Sequence, residues 1–182
     1  MGGLLFIGVL VLIALVVIGI YNRLVGLRQN CRQGLADIDA QLRQRHDLVP
    51  NLVATVKGYA AHEQATFEQV IDARNHATAS ATPEAERELT KAIGSLLALG
   101  EAYPDLKASA NFQALQGELA DVEDKLAAAR RALNAAAARY NSAREGFPAV
   151  LFAGAMGFAP ADFHTLAGEE RATVGAVPSV QF

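Results

Sequence analysis

Between Gly2 and Tyr21 no side chain carries a charge, and Leu4–Ile20 is an almost unbroken run of Leu, Ile, Val, Ala and Phe. At 1.5 Å per residue, Gly3–Tyr21 would form a helix roughly 28 Å long, close to the thickness of a bilayer's hydrocarbon core. After this run the apolar residues thin into helical stripes. Leu24, Leu27, Cys31, Leu35, Ile38 and Leu42 recur at steps of three and four, the spacing of one face of a helix that continues out of the apolar run. Val49, Leu52, Val53, Val56, Ala60, Phe67 and Val70 make a second stripe. The most regular is Phe112, Leu115, Leu119, Val122, Leu126, Ala129, Leu133, Ala136 and Tyr140, an alternating three–four spacing. Such stripes demand partner helices packed at shallow angles, in a bundle or coiled coil. No segment alternates with period two, so no strand is predicted.

Helix breakers divide the pattern. Pro50 predicts a kink or one-turn break, with Asp47 capping the helix that follows. The segment 77–84 reads as a loop, with Thr82 as N-cap and Pro83 in the first helical position. A shorter helix from about Glu84 to Ala102 follows, then a turn at Tyr103-Pro104-Asp105, then the long striped helix from Ser109 to about Glu145, stopped by Phe147-Pro148. Gly146–Ala161 is uncharged and apolar, but glycine-broken and too short to span a bilayer. It is expected either to cap one end of the bundle or to present a surface to the bilayer or to a partner. The ending, 169–182, is expected to be an extended tail.

The flanks of the apolar run argue for an uncleaved anchor over a signal peptide. No Lys or Arg precedes it, and it ends in Ile-Tyr-Asn-Arg with no small-residue cleavage site. Arg23, Arg28 and Arg32 lie just beyond, so the richer basic flank predicts an outside N-terminus and a cytoplasmic main domain. The single Cys31 can form no internal disulfide, consistent with a reducing compartment. The net charge of −3 is too small to suggest a nucleic-acid partner, and none is expected. An abundance of Ala, Leu, Gln, Glu and Arg, with no Trp, is the composition of helices.

Helical-bundle chemistry finds no foothold in the motifs. None of the four histidines, His46, His62, His76 and His164, has a Glu three residues before it, as a di-iron bundle requires. His62-Glu63 opens like a zinc-protease motif, but Thr66 occupies the place of the second histidine. No phosphate loop, nucleophile elbow or cysteine pair is present, so catalytic, cofactor and metal residues are all expected to be none. Asn51, Glu63 and Arg74, with Arg45 and Asp47 before them, flank the second stripe, and Arg130, Asn134 and Asn141 flank the long helix. Their expected role is an interhelical layer of hydrogen bonds and ion pairs that fixes register; a ligand site using Asn51, Glu63 and Arg74 is the minor alternative.

Several blocks carry a family resemblance. Tyr21-Asn22-Arg23-Leu24-Val25 and Asp37-Ile38-Asp39-Ala40-Gln41-Leu42 are followed by Arg45-His46-Asp47-Leu48-Val49-Pro50-Asn51-Leu52-Val53 and Val56-Lys57-Gly58-Tyr59-Ala60-Ala61-His62-Glu63. Further along stand Glu101–Ala108, Ala128–Arg131, Tyr140-Asn141, Phe147-Pro148, Gly157-Phe158 and the closing Val180-Gln181-Phe182. In this order they resemble the LemA family over nearly the whole chain. Ala40 and Gln44 stand where bulkier or basic residues are usual in the family, and Leu133 where a Tyr is. The resemblance implies a bacterial single-pass inner-membrane protein whose domain is a cytoplasmic bundle of long antiparallel helices, with no established enzyme activity.

The expected architecture is therefore all-α: an anchor over 1–22 continuing into a bundle of three to four helices over 23–168. The expected function is a membrane scaffold that is not an enzyme. It would contact lipid through residues 4–20 and a protein partner or a second copy through residues 146–161. The alternative is an accessory protein of a membrane protease or envelope-stress system.

Overall fold

A computed structural model describes residues 1–161; the expected tail at 169–182 and the end of the bundle at 168 lie outside the described residues. Every regular element within them is helical: α1 (Gly2–Lys57), α2 (Gln64–Ser80), α3 (Pro83–Ala102), α4 (Pro104–Lys107), α5 (Ala110–Glu145) and one 3-10 turn, Ala149–Leu151. An N-terminal long apolar helix followed by other helices that pack together is thus the architecture. The described residues divide into two compact units, residues 37–128 and residues 1–36 with 129–161.

The unit formed by residues 37–128 is built around one core. Val49, Leu52 and Val56 of α1, Val70 of α2, Leu89 and Leu96 of α3, Leu106 of α4 and Val122 of α5 are completely buried in it. α2 and α3 form an antiparallel hairpin whose connection is only Ala81 and Thr82. Ala81 adopts a left-handed conformation, φ 49°, and closes α2 through its N–H to the Ala77 carbonyl at 3.0 Å. The Thr82 hydroxyl accepts from the Ala85 N–H at 3.3 Å and Pro83 fills the first helical position, as its sequence context predicts. The expected loop over 77–84 is correspondingly shorter, because α2 runs on to Ser80.

The one-turn break expected at Pro50 is absent: α1 stays helical through the proline and ends at Lys57. A proline at 50 cannot donate to the carbonyl of His46 one turn earlier, which would otherwise leave a buried acceptor without its helical partner. The Arg74 guanidinium supplies the missing donor, Nε to the His46 oxygen at 2.8 Å. Asp47 is an exposed helix residue, not a cap. The true interruption is Gly58–Glu63, where Gly58 weakens the helix and the N–H of Tyr59 turns back to Val56 at 3.0 Å. Tight packing recurs at Gly100, where a Cβ would stand 2.7 Å from the Phe112 ring.

In the unit of residues 1–36 and 129–161, α1 and α5 run antiparallel. They approach closely at Gly34, where a Cβ would lie 3.2 Å from the Leu133 Cα. Leu24, Cys31, Leu133, Ala137 and Tyr140 are buried. Two stripe positions differ from expectation: Gly34 is buried while Leu35 is 52% exposed, and Ala137 is fully buried while Ala136 is only partly so. With the helices this close, a side chain at position 34 would press on Leu133, so the small glycine takes the inward position and Leu35 lies outside. On α5 the natural helical repeat drifts from the strict heptad by one position.

After α5 the chain folds back, and Phe158 is buried edge-on to Tyr21, ring centroids 5.5 Å apart. The Arg28 guanidinium lies 5.0 Å from the same ring centroid. Tyr140 donates to the Ala159 carbonyl at 2.7 Å and Arg144 Nε to the Phe158 carbonyl at 2.8 Å, while Asn141 and Ala161 exchange two bonds. In contrast, the first turns of α1 touch nothing. An 18-residue window there has mean hydropathy 3.2 and no residue of it is buried, which makes this helix long and apolar enough to cross a membrane.

Candidate functional site

The buried charges lie in the 37–128 unit. Arg45 and His46, neighbours on α1, both reach Glu86 in the first turn and a half of α3. Arg45 Nη2 pairs with Glu86 Oε2, and His46 Nε2 donates to Oε1 at 2.8 Å, since an ionised carboxylate can only accept. Arg45 Nη1 donates to the Thr90 hydroxyl at 3.0 Å and to Glu123 Oε1 on α5 at 2.8 Å. The Thr78 hydroxyl stands 3.3 Å from His46 Nδ1 and donates to the Arg74 carbonyl at 2.8 Å. Arg45, His46 and Glu86 are 2%, 7% and 7% exposed, and the Arg45 Nε has no partner.

Such a network ties α1, α2, α3 and α5 at one level of the core. Both oxygens of Glu86 are occupied, one by Arg45 and the other by His46, which is the form of an interhelical layer of ion pairs and hydrogen bonds. Among the described residues no group of three or more His, Cys, Asp or Glu side chains is placed to hold a metal ion.

Asn51, Glu63 and Arg74 do not converge. Asn51 is exposed, and Glu63 accepts a hydrogen bond from the Tyr103 hydroxyl at 3.1 Å. That bond, burial and the carboxylate's charge together raise the Tyr103 pKa above the usual tyrosine value. Arg74 alone joins the buried network, through the His46 carbonyl. Glu86, the centre of the layer, was missed by sequence reasoning. It occupies position 86 of the stripe 86, 89, 93, 96, so a charge on an apolar stripe was the available signal. Arg130 is partly buried with no partner for its Nε, and Asn141 binds the folded-back segment. Burial alone raises the Cys31 pKa.

A different kind of site lies in the other unit. A groove of about 610 Å³ runs between α1 and the end of α5, lined by Ile20, Arg23, Leu27, Arg139, Phe147 and Pro148 among others. Beside it Gly146–Ala161 presents two faces. Ala149, Ala153 and Phe158 are buried, whereas Phe147, Val150 and Leu151 are 84%, 52% and 65% exposed. The segment is therefore a cap on one side and an apolar surface on the other.

The model of the LemA family matches residues 34–182, which include the buried layer and the folded-back segment. The chain belongs to the LemA family. Among LemA-family relatives, it is similar to the magnetosome protein MamQ of Magnetospirillum gryphiswaldense, 24% identical over 158 residues, covering 70% of this chain and 58% of that one. It is also similar to magnetosome proteins MamQ 1 and MamQ 2 of Paramagnetospirillum magneticum, each 23% identical over 173 residues, covering 79% of this chain and 64% of theirs. The chain thus spans about three-fifths of the length of these curated relatives.

Proposed function

We propose that this LemA-family chain is a membrane-anchored helical scaffold, without catalytic activity, that assembles with copies of itself or docks a membrane partner. The observation that carries the reading is the apolar beginning of α1. Its first turns pack on no protein, and the same helix then supplies core residues to a folded bundle. Exposing that much apolar surface to water is strongly unfavourable, at about 25 cal/mol per Å². Residues 4–20 therefore sit in a bilayer, with Tyr21 at its edge and Arg23, Arg28 and Arg32 holding the following residues on the cytoplasmic side of a bacterial inner membrane. The buried ion-pair layer, which links four helices, supports a structural role for the interior, and the magnetosome association of the MamQ relatives supports a membrane setting.

Alkaline carbonate extraction of membranes, followed by native mass spectrometry of the full chain in nanodiscs, tests both halves. Retention in the membrane pellet together with dimers or larger assemblies is expected, or else a specific membrane protein crosslinked in cells from exposed positions such as Lys91. Release by carbonate would end the anchor reading. Strict monomers without any crosslinked protein would end the scaffold reading.

A further inference from the structure

The net charge of −3 conceals a segregation. Residues 37–128 hold fifteen acids against eight basic residues, whereas residues 1–36 with 129–182 hold eight arginines against four acids. Among the described residues of the latter unit, Glu145 is the only acid. In the acidic unit Arg45, Arg87, Lys107 and Lys125 each pair with a carboxylate. In the basic one the single ion pair among the described residues is the long Arg144–Glu145 contact at 3.9 Å. Arg23 and Arg139, both exposed, face the groove with no carboxylate partner among the described residues.

We infer that this groove and its rim bind the headgroups of acidic phospholipids. Three observations converge on that occupant. Ile20, the last residue of the apolar run, lines the groove, so the site begins where the membrane-spanning stretch ends. Arg23 follows one turn later on the same helix face, at the depth of the phosphates. Phe147, which lines the groove, and nearby Val150 and Leu151 present exposed apolar side chains. Guanidinium groups that can take a phosphate oxygen pair, next to apolar side chains, form the pattern of an interfacial surface. Unpaired arginines repel one another unless an anion lies among them, and the cytoplasmic leaflet supplies that anion. A soluble polyanion would satisfy the arginines but not the apolar rim. The inference rests on the anchoring reading and adds a headgroup preference to it.

The test uses the full chain in nanodiscs, with Leu151→Cys carrying an environment-sensitive fluorophore in a Cys31→Ala background. Quenching by a lipid spin-labelled near the headgroup is compared in phosphatidylcholine discs and in discs also containing phosphatidylglycerol. About two- to threefold stronger quenching is expected with the acidic lipid, falling to the phosphatidylcholine level in Arg23→Gln/Arg139→Gln. Equal quenching in both lipids, or a difference that survives the double substitution, overturns the inference while leaving the anchor intact. In-cell crosslinking of position 151 to a protein in place of lipid overturns it as well. A chain that does not enter discs at all overturns the anchoring reading and this one with it.

Discussion

Replacing Glu86 by alanine isolates the energetics of the buried layer. The substitution removes the carboxylate that faces Arg45 and His46, and it leaves an arginine 2% exposed in the core. Thr90 is a neutral partner, and Glu123 is 47% exposed in its side chain, so solvent screens its compensation. Breaking a buried pair from one side costs about 3–5 kcal/mol, whereas Glu123→Ala should cost about 0–1 kcal/mol because that pair is half in water. For a chain of this size each kcal/mol moves the melting midpoint by about 2–4 °C, so Glu86→Ala should lower it by about 6–20 °C. Arg45→Met/Glu86→Leu removes both charges together and should recover most of that loss. The assay is thermal unfolding of the full chain in detergent, followed by circular dichroism. A Glu86→Ala shift no larger than that of Glu123→Ala would refute the reasoning. So would a double variant as unstable as the sum of its single ones.

Other substitutions test particular contacts. Gly100→Ala should destabilise by about 1–3 kcal/mol in urea unfolding, because its Cβ would overlap the buried Phe112 ring by more than the roughly 1 kcal/mol gain in helix propensity offsets. Arg74→Ala should cost about 1.5–3 kcal/mol, and clearly less in a Pro50→Ala background, where residue 50 regains the N–H that reaches the His46 carbonyl; equal costs in the two backgrounds would break the link. Tyr103 should ionise above the ordinary tyrosine range in an ultraviolet pH titration, and Glu63→Gln should bring it down. The sign follows from linkage: a raised folded pKa stabilises fully below the unfolded pKa and is lost as pH rises through the folded one. Alkaline stability should therefore fall through that window more steeply in the wild type than in Glu63→Gln.

Much of this architecture was legible along the chain because its signals are local. The Thr82-Pro83 start of α3 and its end at Tyr103 depend on local geometry, and each occurs where the sequence places it, although Pro104 and Asp105, expected in a turn, open the short helix α4. The stripes of α1 and α5 were legible because helical periodicity alone decides which side chains share a face. Pro50 shows the boundary of that legibility. Proline's local cost in a helix is high, yet a guanidinium twenty-four positions away fills the vacant acceptor, and no local rule can anticipate it. Position 34 is similar: the stripe favours Leu35, but the backbone approach to Leu133 selects the glycine beside it.

By itself, then, the sequence determined the all-helical class, the apolar run able to cross a membrane, most helix ends and the LemA resemblance, since each is written in composition or in near-neighbour spacing. Tertiary structure alone decided which polar residues meet. Glu86 lies about forty positions from Arg45 and His46, and only helix packing brings it within hydrogen-bonding reach of them, while Asn51, much nearer to them in sequence, faces solvent. It likewise decided that Gly146–Ala161 has a buried and an open side, because Phe158 finds Tyr21 and Arg28 while Phe147 finds nothing to cover it. Periodicity fixes the face a residue shares; it does not fix what stands opposite.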